Sequence, residues 1–380
     1  DKFREKGYLS VEDESESVSK TLEYSYDMWC VSEIAKELNL TNDEKYFGKF
    51  VFGTLELYNN KTGFVQPRKN GNWLQNFNPY EVNNNYTEAN GWQYSFYMPH
   101  LQLRNTHLLD SLFVANTKTQ GREQADITGL IGQYAHGNEP SHNYIYLSKN
   151  ENRVNNLKKV YDNFYTNKPD GLIGNEDCGQ MSAWYVMSAL GFYQPCPGDD
   201  LLKVGMPLFS KLKLSFSESK SLTIIKKQKK NSVSNYGLIE NQSLKKTFKV
   251  DEFRFSRILK EDTLKYSNDE AIVNFYPPKI VSDNATKSEN VKSSPLISAK
   301  SNTLFKDSLE VILKNNINSS DEVSIFYSID NEKYEKYYLP LIIKKTSTIK
   351  AFSIYLVDTS NISTAHFYKR PHNYSIKLNC

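Results

Sequence analysis

The apolar pattern of this chain changes period near Leu201, and no other feature constrains its fold as much. Before that point apolar residues recur at helical spacing. Val18, Leu22, Tyr26, Trp29 and Ile34 form one stripe; Phe47, Phe50, Val51, Leu55 and Tyr58 form a second; Val154, Leu157, Val160, Tyr161 and Phe164 form another. After it, short alternating runs take over, as in LKLSF (212–216) and SLTII (221–225), the signature of half-buried strands. The spacing predicts helices from Ser15 to Leu190. Ser15 or Ser17 is placed to cap the first, Asn42 the second, and a third is expected after Thr87. Residues 60–68 (NKTGFVQPR) interrupt the series as a turn. Paired helices joined by long polar connections suggest a toroid whose connections line a central pocket.

Charge follows the same division. Residues 1–200 hold 18 Lys and Arg against 26 Asp and Glu, and residues 201–380 hold 29 against 18, so a net of −8 meets a net of +11. The basic half includes KKQKK (226–230), but its lysines are scattered among strand-like runs, which reads as a solvated surface and not a nucleic-acid footprint. No apolar run is long enough to span a bilayer. Four cysteines at irregular spacing give neither a disulfide framework nor a zinc site; a Cys178–Cys196 bridge stays open, and Cys178 has no neighbouring His to activate it.

Three segments carry chemistry. Residues 171–193 (GLIGNEDCGQMSAWYVMSALGFY) place Glu176 and Asp177 in a Gly/Asn-rich turn that opens into an apolar helix with Gln180, Met181, Trp184, Met187 and Leu190, stopped by Gly191. Adjacent acids there can serve simply as a helix cap, or face a site beyond the helix end. Residues 86–94 (YTEANGWQY) and 133–143 (QYAHGNEPSHN) each set one Glu among Asn, Gln, His and aromatic side chains. Glycoside hydrolysis needs this inventory: one carboxylic acid for the leaving oxygen, a carboxylate to activate water, and amides and aromatics to hold the sugar. An acid that stays protonated wants a desolvated, aromatic-lined setting, which favours Glu88 between Tyr86 and Trp92. The base must be ionised, as acids near a helix N-terminus are, which favours Asp177 with Glu176 as second candidate. His136, His142, Asn138, Asn175 and Gln93 are candidate sugar ligands. Among the aromatics, Trp184 reads as core, Trp92 as core or sugar platform, and Trp73 in GNWLQNFNPY as able to reach the pocket.

These three segments, in this order and spacing, resemble the signatures of glycoside hydrolase family 92, calcium-dependent inverting exo-α-mannosidases. The resemblance runs from about Gly7 to Phe209 and includes SVSKTLEYSYDMW (17–29) and VGMPLFSKLKLSF (204–216). It implies a fold that is mainly α then β: part of an (α/α)6 toroid over residues 1–200, then a β region over 201–281 packing on it. It also implies that the chain is a C-terminal portion of a longer enzyme, whose N-terminal β-sandwich domain would be its partner in the site. Glu88 matches the family's catalytic acid, although Ala89-Asn90-Gly91 exchanges the usual Gly and Ala; Asp177 matches its base; Glu139 matches a residue that recognises the leaving sugar in α-1,2-linked mannose. Calcium would contact the sugar, with Asn90, Glu139 and Asp177 as oxygen donors in the right segments. Mannose-containing glycans are the implied substrate, and the periplasm, cell surface or exterior the implied location.

Residues 282–300 (SDNATKSENVKSSPLISAK) lack any apolar period and read as a linker. Beyond it, residues 301–380 carry short strand-like runs that suggest an immunoglobulin-like β-sandwich, resembling the chitobiase/hexosaminidase C-terminal domain, with Asp330-Asn331-Glu332 in place of that domain's Asp-Gly-Ser turn. An accessory role is expected of it. Two alternatives stand beside the mannosidase reading: a toroid glycosidase of another sugar specificity, and a non-catalytic carbohydrate-binding or inert fragment.

Overall fold

The computed structural model describes residues 2–101, 106–148, 150–228, 236–241, 247–250, 252–255, 258, 263–267, 275–276, 293–300, 303–315, 323–355 and 358–370. The chain divides into two compact units. One comprises Asp1–Pro79, Asn84–Thr87 and Ser288–Cys380; the other comprises Tyr80–Asn83 and Glu88–Lys287. The change of period is real: the described helices precede residue 191, and strands dominate after it.

In the first unit the helix Ser17–Glu37 packs on the helix Thr41–Gly48. Neither uses the cap read from sequence. Glu16, at φ 57°, occupies the N-cap of the first helix with no side-chain bond, and Ser17 is its buried first residue. The orphan N–H groups of Glu16 and Val18 instead donate to the carbonyls of Asn84 and Asn85, at 2.6 and 3.1 Å. A distant loop therefore does the work of a cap, which no local pattern reveals. The second helix starts at Thr41, one residue before Asn42, behind Leu40. The predicted stripe also divides: Val18 and Leu22 are buried, whereas Ile34 is 60% exposed.

The C-terminal part of this unit is two β-sheets around one core. Strands Leu296–Ala299, Leu309–Lys314 and Leu341–Ile343 form one sheet. The strand Ser347–Tyr355 lies between Val323–Ile329 and Ser363–Lys369 in the other. Ile297, Val311, Leu313, Ile349, Ala351 and Phe367 fill the space between them. The Asp330-Asn331 turn, at φ 53° and 64°, keeps the left-handed geometry that a tight hairpin requires, with Asp and Asn doing what Gly does elsewhere. The predicted linker ends earlier than residue 300. Its residues 282–292 lie outside the described ones, but Ser293 and Ser294 are buried and Leu296–Ala299 is a strand in register with Leu309–Lys314.

The cause is a buried ion pair. Arg68, fully buried, reaches Glu56 at 3.2 Å and donates to Ser294 Oγ, Ser363 Oγ and the carbonyls of Gly71 and Pro295 at 3.1–3.3 Å. Glu56 in turn accepts from the N–H and hydroxyl of Ser294 at 3.0 and 2.7 Å. Charges this deep require partners, and the C-terminal segment supplies most of them; Arg68 Nε alone of the guanidinium nitrogens has no hydrogen-bond partner among the described residues.

In the second unit a core of Phe192, Leu202, Val204, Leu222, Ile224, Phe253, Leu264 and Tyr266 joins the strands Leu201–Val204, Ser221–Lys227 and Thr263–Ser267. Met187 and Leu190 of the helix Gln180–Leu190 pack onto it. The β region thus supports the helix that follows the acidic turn. Lys226 and Lys227 end a strand of this sheet, while Lys229 and Lys230 of the basic run lie outside the described residues.

Replacing Glu56 by Ala would leave Arg68 buried without a counter-charge, and is expected to cost about 3–5 kcal/mol. The paired change Glu56→Leu with Arg68→Met should recover most of that loss. Urea unfolding of the three proteins tests this; a near-neutral Glu56→Ala would show that the pair does not hold the C-terminal segment in place.

Candidate active site

The three motif-bearing segments meet in the second unit, and hydrogen bonds between them set their spacing. Asn90 caps the short helix Gly91–Tyr94: its Oδ1 accepts from Gln93 N–H and the Gln93 side chain accepts from Asn90 N–H, both at 3.2 Å. The remaining amide hydrogens of Asn90 point to Gln133 Oε1 at 2.9 Å. Asn138 donates to the backbone carbonyl of Glu88 at 3.2 Å, and the Tyr144 hydroxyl donates to the carbonyl of Gln93 at 2.5 Å. Toward the third segment, Gln180 donates to His142 Nδ1 at 3.3 Å and Trp184 Nε1 donates to the His142 carbonyl at 3.0 Å. Close backbone approach completes the assembly. A side chain at Gly137 would collide with Thr128, and Gly174, at φ 79°, lies against the same Thr128 and against Gly137.

Hydrogen-bond direction determines the tautomers of both histidines. The Tyr165 hydroxyl donates to the Met181 carbonyl at 3.0 Å, so its oxygen accepts from His136 Nε2–H at 2.8 Å. His136 Nδ1 then accepts from the Tyr134 hydroxyl at 2.7 Å. His142 Nε2–H donates to the His136 carbonyl at 2.9 Å, leaving Nδ1 to accept from Gln180. Both rings are buried and neutral: burial pushes His136 well below the usual histidine range, helped by His142, and brings His142 down to about 4. All four ring nitrogens, expected to face sugar hydroxyls, are engaged by protein groups in this structure. They position the loops.

The carboxylates occupy different settings. Glu88 is exposed and sits at φ 52°, so the desolvated surroundings expected of it are not formed, although Trp92 is buried. Glu176 reaches forward to the helix Gln180–Leu190, accepting from Ser182 N–H at 3.1 Å and from the Ser182 hydroxyl at 2.5 Å. Those bonds hold its carboxyl below the usual range. Glu176 is therefore the cap that a pair of adjacent acids could have been, and Asp177 is the acid left over. Asp177 opens a short 3-10 turn, Asp177–Gly179, and the left-handed residues Cys178 and Gly179 separate it from the helix. Its side chain is exposed. Glu139 is the carboxyl that burial pushes up, and repulsion from Asp177, Asp126 and Glu176 acts in the same direction. Its Oε1 is buried with no hydrogen-bond partner among the described residues.

Several residues escaped the sequence reading. Asp126 accepts from Asn175 at 3.0 Å, which explains the exposed position of that amide, and Tyr165 and Gln133 link the segments. Gln133 opens the 133–143 segment, whereas Asp126 and Tyr165 lie in none of the three segments and no sequence signal marks those two. Gln93 keeps one buried amide nitrogen unpaired among the described residues, as a ligand-facing group would. Trp184 is fully buried, as read, and Trp92 packs edge-on to Tyr80 at 5.8 Å. Cys30, Cys178 and Cys196 are free thiols, while Cys380 lies outside the described residues.

Calcium was expected on Asn90, Glu139 and Asp177, and that set does not fit a metal shell. Asn90 spends its Oδ1 on the cap and is fully buried. Among the described residues no three His, Cys, Asp or Glu side chains converge closely enough to hold an ion.

Comparison with known proteins places this geometry in a context. A family model, the glycosyl hydrolase family 92 catalytic domain, matches residues 1–267. Among curated proteins, one named as an uncharacterized secreted glycosidase of Arthroderma benhamiae is 27% identical over 231 residues, covering 53% of this chain and 29% of that protein. Among solved structures, a family GH92 α-mannosidase from Bacteroides thetaiotaomicron, in complex with mannoimidazole, superposes with a TM-score of 0.60 at 31% identity, covering 70% of this chain and 37% of that one. A family GH92 inverting mannosidase of the same organism gives 0.55 at 24% identity, with 72% and 41% covered, and supports the fold alone. The chain therefore spans well under half the length of the relatives it matches.

The buried histidines make stability depend on pH. A His whose folded pKa lies below its unfolded value of about 6.5 contributes fully above that value and loses its contribution as pH falls. For His142 the window runs from about 6.5 to about 4, a loss of about 3 kcal/mol. Denaturation midpoints should fall across this window, and His142→Gln should be less stable at neutral pH but show a shallower decline. Parallel declines in the two proteins would contradict a buried neutral His142.

Proposed function

The chain belongs to glycoside hydrolase family 92, and from that premise we propose that it forms part of an inverting exo-α-mannosidase removing terminal, α-1,2-linked mannose from glycans. The observation that carries this reading is the cross-linking of the three segments, which gathers Glu139, Glu176, Asp177 and Asp126 within electrostatic reach. Inversion requires an acid and a base on opposite faces of the sugar, with space for a water between base and anomeric carbon. Asp177, exposed beyond the helix end, is the proposed base. Glu88 is the proposed acid; its positive φ is the kind of strain a functional site tolerates, and Asn138 holds its carbonyl in place. Glu88 lacks the desolvation that a protonated acid needs, and the rest of a longer protein would have to supply it. Glu139 is assigned to the leaving sugar: its orphaned, partly desolvated carboxyl gains a partner when a hydroxyl donates to it.

Membership of family 92 brings two further elements into the proposal. An N-terminal β-sandwich completes the site, and the helical part belongs to an (α/α)6 toroid. The similarity to a secreted glycosidase supports a secreted, periplasmic or cell-surface location, and no described helix is long and apolar enough to cross a membrane. A calcium requirement belongs to the same reading.

The test is mannose release from α-1,2-mannobiose by this chain and by a form extended upstream, with and without a calcium chelator. Calcium-dependent release by the extended form supports the proposal; binding without release by either form favours a carbohydrate-binding fragment. In the active form Asp177→Asn should lower kcat by about 10²–10⁴-fold. Glu176→Gln should instead cost about 1 kcal/mol of stability, with kcat little changed. Equal kcat losses in both variants would overturn the division of roles between the two acids.

A further inference from the structure

The C-terminal sheets carry an apolar projection that the catalytic reading does not use. Between the strands Glu335–Lys336 and Leu341–Ile343 the chain runs Tyr337-Tyr338-Leu339-Pro340, and this loop is pinned at both ends. Tyr337 N–H donates to the Ile325 carbonyl at 2.8 Å, and its ring packs edge-on to Tyr327 at 6.3 Å over the core. At the far end Leu341 is buried in the same core, and Pro340 fixes the backbone just before it. With both neighbours held, Tyr338 and Leu339 do not fold back: they stand out at 76% and 75% exposure. Single exposed apolar residues are ordinary, but a contiguous patch calls for a partner.

The patch continues onto the neighbouring sheet. Leu341 and Ile343 point inward, so Ile342 points out and is 56% exposed. Its partner across the ladder is Glu310, and one step further along the same register Ile312 comes level with Pro340. Val311 and Leu313 are buried, which turns Ile312 outward beside that proline. Exposed lysines stand around these residues. Lys314 is two residues from Ile312, Lys344 is two residues from Ile342, and Lys336 Nζ lies 5.7 Å from the centre of the Tyr338 ring. The acids nearby are mostly engaged elsewhere. Asp330 pairs with Lys345 at 3.2 Å, Glu335 accepts from the Tyr327 hydroxyl at 3.2 Å, and Glu332 is offset by its neighbour Lys333. Among the described residues Glu310 is the acid that shares this face.

We propose that this tip is a docking surface for an anionic lipid bilayer. Shape and charge decide the occupant. Side chains that project need a medium to receive them: the acyl boundary of a bilayer deforms around them, whereas a protein partner must offer a matched pocket. The Tyr338 ring suits the boundary, with its hydroxyl at headgroup depth. Lys314, Lys336 and Lys344 can lay their stems along the apolar residues and carry their ammonium groups to headgroup phosphates. Three lysines against one acid complement a negative surface. The tip would hold the protein against a membrane without crossing it. It is independent of the catalytic assignment, since all these residues belong to the first unit.

The experiment is co-sedimentation of the full chain with vesicles of phosphatidylcholine, alone or with about a quarter phosphatidylglycerol, at low and high salt. The expected result is saturable binding to the anionic vesicles that weakens in high salt and is much poorer on the neutral ones. Leu339→Ser should weaken it at least about tenfold, and Lys344→Gln about fivefold. Lys211→Gln, an exposed strand lysine of the second unit, should leave it unchanged. Thermal unfolding midpoints equal to that of the parent chain establish that the variants fold. No binding to anionic vesicles, equal binding to both kinds, or binding unaffected by Leu339→Ser would overturn the proposal. So would an equal loss in Lys211→Gln and Lys344→Gln, which would mean attraction by overall charge. Self-association without vesicles that Leu339→Ser abolishes would also overturn it, because a second copy would then cover the tip.

Discussion

The second unit depends on the burial of Trp184. Its indole N–H donates to the His142 carbonyl, and the rings of His136 and Tyr165 lie 4.5 and 6.2 Å away, the latter nearly parallel. A large aromatic side chain of this kind can contribute several kcal/mol by burial, and removing one from a packed core typically costs 3–5 kcal/mol. Its position matters as much as its size. It stands on the helix that follows the acidic turn and touches the segment that bears Glu139, so the packing that stabilises the unit also sets the separation of the carboxylates. The two histidines extend this packing with polar bonds whose donors and acceptors are all accounted for. That is the condition under which a buried polar network specifies one arrangement.

Around that core the acids are sorted by environment. Glu176 is tied to Ser182 and stays ionised; Glu139 is partly desolvated and faces other negative charge; Asp177 is exposed beyond two left-handed residues. Three carboxylates in neighbouring positions thus acquire three characters, and the difference comes from backbone geometry and hydrogen-bond donors, not from residue type. The strained φ at Glu88 and the glycines at 137 and 174 belong to the same pattern: loops forced close together around a polar centre.

The first unit shows how a distant segment can be drawn in by a local charge. Arg68 and Glu56 are twelve residues apart and could have formed an ordinary pair, yet burial left them needing more partners than they supply to each other. Ser294, Pro295 and Ser363 provide these, which makes the C-terminal sheets an integral part of the unit.

Much of this was legible in the residue pattern. The change of period near Leu201, the Gly191 stop at φ 99°, the buried Trp184 and the three carboxylate-bearing segments all follow from local rules: periodicity, turn chemistry and side-chain inventory. The caps of the first helices, the end of the linker and the roles of His136, His142 and Asn90 did not, because each is decided by a partner far along the chain. A histidine beside sugar-binding residue types looks like a ligand until a tyrosine nearly thirty residues away takes its nitrogen. A Ser before a helix looks like a cap until Asn84 and Asn85 bring their carbonyls to it. The sequence by itself determined which side chains were available and where the backbone could turn. Only the tertiary structure decided which of them would be consumed by one another, since a buried polar group takes whichever partner is geometrically within reach.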